Sequence, residues 1–358
     1  MIKIKGKYLL VLLTILIALS GCKKEEAVIE KTPAREDIKE EKSQEAEDEE
    51  ETEKETEDLR GKSISPLSGI YVEDEKLDRR VMGIMFDNHP SARWQAGLKD
   101  AEVVYEYQVE APYTRYLAFF LSNDPELLGP LRSARPYFVT NILEYDALYV
   151  RVGGSREADA DILKYNIDQI DARTSSSSIF WRKSHKKAPN NLYSDMKTLR
   201  SLADGKGLNE AGDINIFEFN LYDKDIQGSP AREININYNS QNKTDYLYNE
   251  EEKQYYRKKD GQDHIDEIDK SYIKAKNIII REVETRPLSD GKKLEMDLLG
   301  NGKGKYITNG NIIDINWTKK SREEKTRYTL LSGQELKLNP GVTFIQVVNP
   351  KMEILIKE

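Results

Sequence analysis

The chain has 358 residues, 38% hydrophobic and 33% charged, with a formal net charge of −8. That length suggests about two domains of ~100–200 residues each, with enough apolar content for a real core. One Cys and three His exclude a disulfide framework, a Cys-rich zinc module, a CxxC redox site and a histidine-rich metal centre, and the acidic balance argues against a nucleic-acid partner.

Lys3, Lys5 and Lys7 open the chain, Tyr8 to Leu19 is almost wholly apolar, and Leu19-Ser20-Gly21-Cys22 follows. A basic start, a short apolar run and small residues make a secretory signal over 1–21. The apolar run is short of the ~20 residues that span a bilayer. The Leu-Ser-Gly-Cys ending resembles the bacterial lipoprotein cleavage box. That resemblance implies cleavage before Cys22 and lipid on its sulfur, which would place the protein on the outer face of the cell membrane. Each buried lipid CH2 contributes ~0.8 kcal/mol, so a stable anchor takes more than one acyl chain. The alternative is an ordinary secretory signal, or an uncleaved anchor, with a chance Cys.

Residues 22–62 are different material. From 23 to 62 there are nine Lys/Arg against seventeen Asp/Glu and no aromatic residue. Such a segment buries too little surface to offset its ordering entropy, so it reads as an acidic disordered tether.

Ordered chain is expected from about residue 63. Val81 to Phe86 reads as a buried strand. Val103 to Val109 alternates, with Val103, Tyr105, Tyr107 and Val109 on one face and Val104, Glu106, Gln108 and Glu110 on the other. Tyr116 to Leu121 is a third strand, Pro136 to Leu143 a helix with Pro at its start, Ala147 to Val152 a strand and Arg156 to Lys164 a helix. Strands and helices mixed through 63–206 indicate an α/β arrangement. Residues 207–235 would connect or cross. From 236 to 358, Asp260-Gly261, Asp290-Gly291, Asn309-Gly310 and Ser332-Gly333 punctuate runs rich in Tyr, Ile and Val. Asn-Gly and Asp-Gly tolerate φ > 0 and mark hairpins, so this region reads as mostly antiparallel sheet.

Five segments carry candidate chemistry. Asp87 and Asn88 follow the first strand, where polar groups are well placed for a site, although they also suit a plain turn. Glu106 and Glu110 need partners if buried, and Arg115 is the natural one. Four residues of strand separate these glutamates by ~13 Å, too far for a glycosidase pair, which would need a carboxylate such as Asp87 instead. Arg132, Ser133 and Arg135 precede a helix, where backbone N–H groups and guanidinium groups favour an anion. No motif supplies a base for Ser133. Gly153-Gly154-Ser155 lacks the pattern of a dinucleotide or P-loop site and reads first as a tight turn. From Arg173 to Lys187 there are five Lys/Arg and no acid, with Phe180 and Trp181 among them. Such a loop fits an acidic polymer or a protein partner, or is a solvated loop with an aromatic plug. Asn191 lies just beyond it.

GIMFDNHP at 83–90, YEYQVEAPYTRYLAFF at 105–120, GPLRSARPYF at 129–138, VGGS at 152–155 and KAPNNLYS at 187–194 resemble the N-terminal domain of the YerB-like family of bacterial lipoproteins. LLGNGKGKYITNGNIIDINW at 298–317 and LKLNPGVTFIQVV at 336–348 resemble its C-terminal domain. The sequence departs from the family pattern at Ala111-Pro112 and at Asn190. The resemblance implies an exported, lipid-anchored protein, a three-layer ββα sandwich in the N-terminal domain, and one polar cleft gathering these motifs.

The expectation is therefore an α/β (α+β) protein without cofactor or metal, non-enzymatic, binding an anionic wall polymer, peptidoglycan or a wall-synthesis protein. Arg115, Arg132 and Arg135 would supply charge and Trp181 stacking. Two alternatives stand beside it. One is an envelope-glycan hydrolase using Glu106 or Glu110 with Asp87. The other is a scaffold that pairs through its C-terminal sheet.

Overall fold

The computed structural model describes residues 59–358 apart from Ala111, Asp213 and Lys292. The expected signal, Cys22 and the tether up to residue 58 lie outside the described residues.

The described chain opens with β1 (Lys62–Ile64) and β2 (Tyr71–Glu73). Next come β3 (Met82–Asp87), β4 (Val103–Gln108), β5 (Thr114–Phe120), helix α1 (Pro136–Glu144), β6 (Leu148–Arg151), helix α2 (Arg156–Lys164) and β7 (Gln169–Asp171). A short pair, β8 (Trp181–Arg182) and β9 (Leu192–Tyr193), precedes helix α3 (Met196–Gly205). Then follow β10 (Glu218–Phe219), β11 (Ser229–Pro230), β12 (Glu233–Asn239), β13 (Asn242–Asn249), β14 (Gln254–Lys259), β15 (Gln262–Asp263), β16 (Lys274–Ala275) and β17 (Asn277–Glu282). The last strands are β18 (Thr285–Pro287), β19 (Leu294–Met296), β20 (Gly300–Thr308), β21 (Asn311–Lys319), β22 (Arg327–Leu330), β23 (Lys337–Leu338), β24 (Thr343–Val348) and β25 (Glu353–Lys357).

Local chemistry sets the helix starts. Pro136 opens α1, where its fixed φ suits the first turn and its missing N–H is no loss. Ser155 caps α2, its Oγ accepting from the Ala158 N–H at 3.2 Å. Asp195 caps α3 by accepting from the Thr198 N–H at 2.7 Å. The mixed α/β expectation holds, and all four Gly dipeptides fall at turns. Asn309-Gly310 and Asp260-Gly261 have positive φ at both residues, which matches the twist of the strands they join.

Eleven strands make one sheet in the order β11-β21-β20-β17-β24-β4-β5-β3-β6-β7, with β22 beside β21. β24 lies parallel to β17 on one side and parallel to β4 on the other. Main-chain hydrogen bonds thus join strands of the 236–358 region to strands of the 63–206 region. A second sheet of six strands runs β15-β14-β13-β12-β25, with β16 beside β14.

The period-two pattern of β4 is real, but both of its faces are covered. Val103, Tyr105 and Tyr107 enter a cluster with Phe138 and Ile142 of α1 and Ala158 and Ile162 of α2. Val104 enters a second cluster with Ile234, Ile236 and Tyr246 of the six-stranded sheet. Glu106 shares the Val104 face, so its burial follows from the second sheet.

Candidate functional site

The parallel strands β3 and β6 end at Asp87 and Arg151, and the chain from Gly129 to Arg135 crosses above them into α1. Leu131 bridges to Phe86 and Ala134 to Gly154. Ligands of parallel sheets gather outside such carboxyl ends.

Asp87 sits at the centre. Its Oδ1 accepts from the His89 N–H at 3.0 Å, and its Oδ2 accepts from Asn190 Nδ2 at 2.6 Å. Arg132 Nε lies 3.4 Å from the same Oδ2. Among the described residues, the Arg132 guanidinium makes no hydrogen bond, and its Nε is buried without one. His89 Nδ1 accepts from the Ser91 N–H at 3.0 Å, which leaves the proton on Nε2 in the neutral ring. The His89 ring lies tilted against Tyr113, with ring centroids 4.4 Å apart.

Beside it lies a second group. Arg135 grips Glu110 through Nη2 and, at 2.6 Å, through Nε. Arg115 reaches the other Glu110 oxygen at 3.3 Å and Ser133 Oγ at 3.2 Å. Burial would raise the Glu110 carboxyl, but Arg115 and Arg135 hold it below its ordinary value. Burial lowers Arg115 to about 10, and Arg135 adds to that. Ser133 therefore accepts from two guanidinium groups and faces no base.

Glu106 belongs to a third, closed group. It is 0% exposed. Its carboxylate pairs with Arg257 and, at 2.8 Å, with Lys259, and accepts from Thr114 at 2.6 Å and Thr244 at 3.1 Å. Burial pushes this carboxyl up, yet Lys259 and Arg257 outweigh burial and bring it to about 2. Burial lowers Lys259 to about 8 against the pull of Glu106. Asn88 joins this group to the surface, donating to Thr114 Oγ1 at 2.7 Å and accepting from Arg93 Nε at 3.2 Å.

Asp87, Asn88, Glu110, Arg115, Arg132, Ser133 and Arg135 are thus brought into adjoining groups, while Glu106 is sealed behind them. Ser155 is occupied as the α2 cap. The glycine turn before it holds the chain's own carboxylate, because Asp171 Oδ1 accepts from the Gly153 N–H at 2.9 Å. In the basic loop, Arg173 is paired with Asp159 and Asp171, and Lys186 with Glu267. Phe180 is a buried plug and Trp181 is half-buried. Asn191 braces the loop, donating to the Lys183 and Lys186 carbonyls at 2.9 and 3.0 Å. Among the described residues no carboxylate lies in ion-pair range of Arg182, Lys183 or Lys187.

Two features escaped the sequence. The neighbour of Asp87 is Asn190, while Asn191 points into its own loop. The partners of Glu106 are Arg257 and Lys259, more than a hundred positions away, whereas Arg115, the expected partner of both glutamates, pairs with Glu110.

The chain matches the family described as "Protein of unknown function (DUF3048)", its N-terminal domain over residues 67–209 and its C-terminal domain over 234–345. The chain belongs to this family. A curated relative from Bacillus subtilis (strain 168), named "Putative lipoprotein YerB", is 31% identical over 298 residues, covering 81% of this chain and 88% of its own. The crystal structure of the Bacillus subtilis YerB protein superposes with a TM-score of 0.74 at 29% identity, over 82% of this chain and 99% of that one. Within the DUF3048 N-terminal match fall Asp87, Arg132 and Asn190, and within the C-terminal match fall Arg257 and Lys259.

Proposed function

We propose that this protein is a lipoprotein held on the outer face of the cell membrane through Cys22, and that it binds an anionic cell-envelope component without catalysing a reaction. The Leu-Ser-Gly-Cys ending and the name of the Bacillus relative support the anchor. The packing of β4 between helices and a second sheet supports reading the fold as a ββα sandwich.

The observation that carries the binding role is Arg132. Its guanidinium sits at the strand ends with one loose ion pair and no hydrogen bond among the described residues, and its side chain is partly exposed, so it can take a phosphate or carboxylate. Lys183, Lys187 and Arg182 extend the charge along the loop that carries Asn190. A general acid for glycan hydrolysis needs a carboxyl near neutral pKa, and Glu106 and Glu110 are both held low.

The test is retention of the full chain on purified wall material across a salt series. Arg132→Glu combined with Lys187→Glu is expected to lower retention about tenfold at low salt, with the difference vanishing at high salt. Unchanged retention by a folded variant would remove the reading.

A further inference from the structure

The outer strands of the two sheets are treated differently. β7 has three residues, β11, β15 and β16 have two each, and β11 carries Pro230. On β22, Thr329 is bridged by Glu335. Short strands and proline are the usual means of closing a sheet edge to other chains. β25 is the exception. It has five residues without Gly or Pro, it pairs with β12 on one side, and no strand pairs with its other side among the described residues.

Its side chains divide cleanly. Ile354 and Ile356 pack against the core cluster of the six-stranded sheet. Glu353, Leu355 and Lys357 point outward, and Leu355 is 46% exposed. The order is acid, Ile, Leu, Ile, base. Reversed, the strand keeps its apolar centre and exchanges its charged ends.

We infer that β25 pairs with β25 of a second copy of this chain, antiparallel about a twofold axis at Leu355. In that register Leu355 meets Leu355, Ile354 meets Ile356, and each Glu353 stands opposite a Lys357. Directly opposed unlike charges and apolar pairs stabilise an antiparallel ladder, and like charges there destabilise it. The outward charges already alternate within one copy. Lys357 bonds Glu233 at 2.8 Å, and Glu353 accepts from Asn237 Nδ2 at 2.6 Å. The second copy's Glu353 extends that row, so Lys357 lies between two carboxylates. A parallel arrangement would set Glu against Glu and Lys against Lys, and an unrelated strand has no reason to match this order. The contact is self-complementary, as a twofold interface requires, and it makes the two six-stranded sheets continuous. It is separate from the Arg132 cluster.

The experiment uses the full chain with Cys22→Ser in mild detergent, followed by sedimentation velocity over a concentration series. A reversible dimer is expected. Lys357→Glu or Glu353→Lys alone should weaken it about tenfold, and the two together should restore it. Circular dichroism and thermal melting check that each variant is folded. Leu355→Cys, the lone thiol in this background, should form a disulfide-linked dimer on mild oxidation, since directly opposed strand residues are within disulfide reach. Leu331→Cys, exposed on a turn, should not. A monomer up to ~100 μM, association indifferent to single charge reversal, a double variant no better than the singles, or equal crosslinking at both thiols would each overturn the inference.

Discussion

Lys259 donates to Glu106 across 2.8 Å, with both side chains sealed from solvent and 153 positions between them. Arg257 closes on the same carboxylate. Two cations and one anion therefore occupy the space between the sheets, further satisfied by Thr114, Thr244, Asn242 and the Tyr116 hydroxyl. Removing one member of such a group leaves buried charge unpaired, which costs far more than the intact group contributes. Glu106→Gln is expected to destabilise the fold by about 3–5 kcal/mol. Urea unfolding followed by circular dichroism measures it. Adding Lys259→Met should recover part of the loss, because it removes one of the stranded charges.

The same group sets the acid limit of the fold. His264 donates its Nε2–H to Gln95 at 2.7 Å, and Arg257 donates to its Nδ1. Burial holds this ring neutral, well below its ordinary 6.5, and Arg257 and Lys259 add to that. The unfolded chain takes up a proton there as pH falls below about 6.5, while the folded one does not, so stability declines from that point. Glu106 behaves likewise at lower pH. Its contribution is complete above its ordinary 4.5 and is lost as pH falls towards about 2. Unfolding free energy measured from pH 7 to pH 3 should fall in two stages, and His264→Gln should flatten the upper one.

β24 supports a third expectation. It provides the shared neighbour of β17 and β4, and Ile345 and Phe344 fill the clusters on opposite faces of the sheet. A chain ending at residue 340 loses that strand and exposes the flanks of both neighbours. It should show no cooperative thermal transition, and residues 59–210 expressed alone should behave likewise. A cooperative melt from either fragment would show that the sheet is dispensable at its centre.

Much of this fold was legible locally. The hairpin at Asn309-Gly310, the helix start at Pro136 and the capped start at Ser155 depend on residues within one turn of each other. The alternation of β4 was legible too, but not the sheet that covers its second face, because Glu106 carries no mark of Arg257. The linear division near 207–235 gave no hint that one sheet takes strands from both sides of it. Asn190 and Asn191 show the limit most plainly. They are chemically identical neighbours, and only the path of the loop from Lys183 to Leu192 decides which amide reaches Asp87.

The charged cluster around Arg132 yields predictions of opposite sign from adjacent charges. Glu110 neutralises Arg135 and Arg115, and its side chain is partly open to solvent. Glu110→Gln leaves both guanidinium groups with an amide oxygen and frees most of their charge for a ligand. Retention on anionic wall material should rise several-fold at low salt and become more salt-sensitive, since a further cation is exposed. Arg132→Gln should lower retention over the same range. Asn190→Ala should also lower it, since a carboxylate released from the Asn190 amide is free to close on Arg132 and compete with the ligand. If Glu110→Gln and Arg132→Gln shift binding in the same direction, the charge of this cluster does not select the ligand.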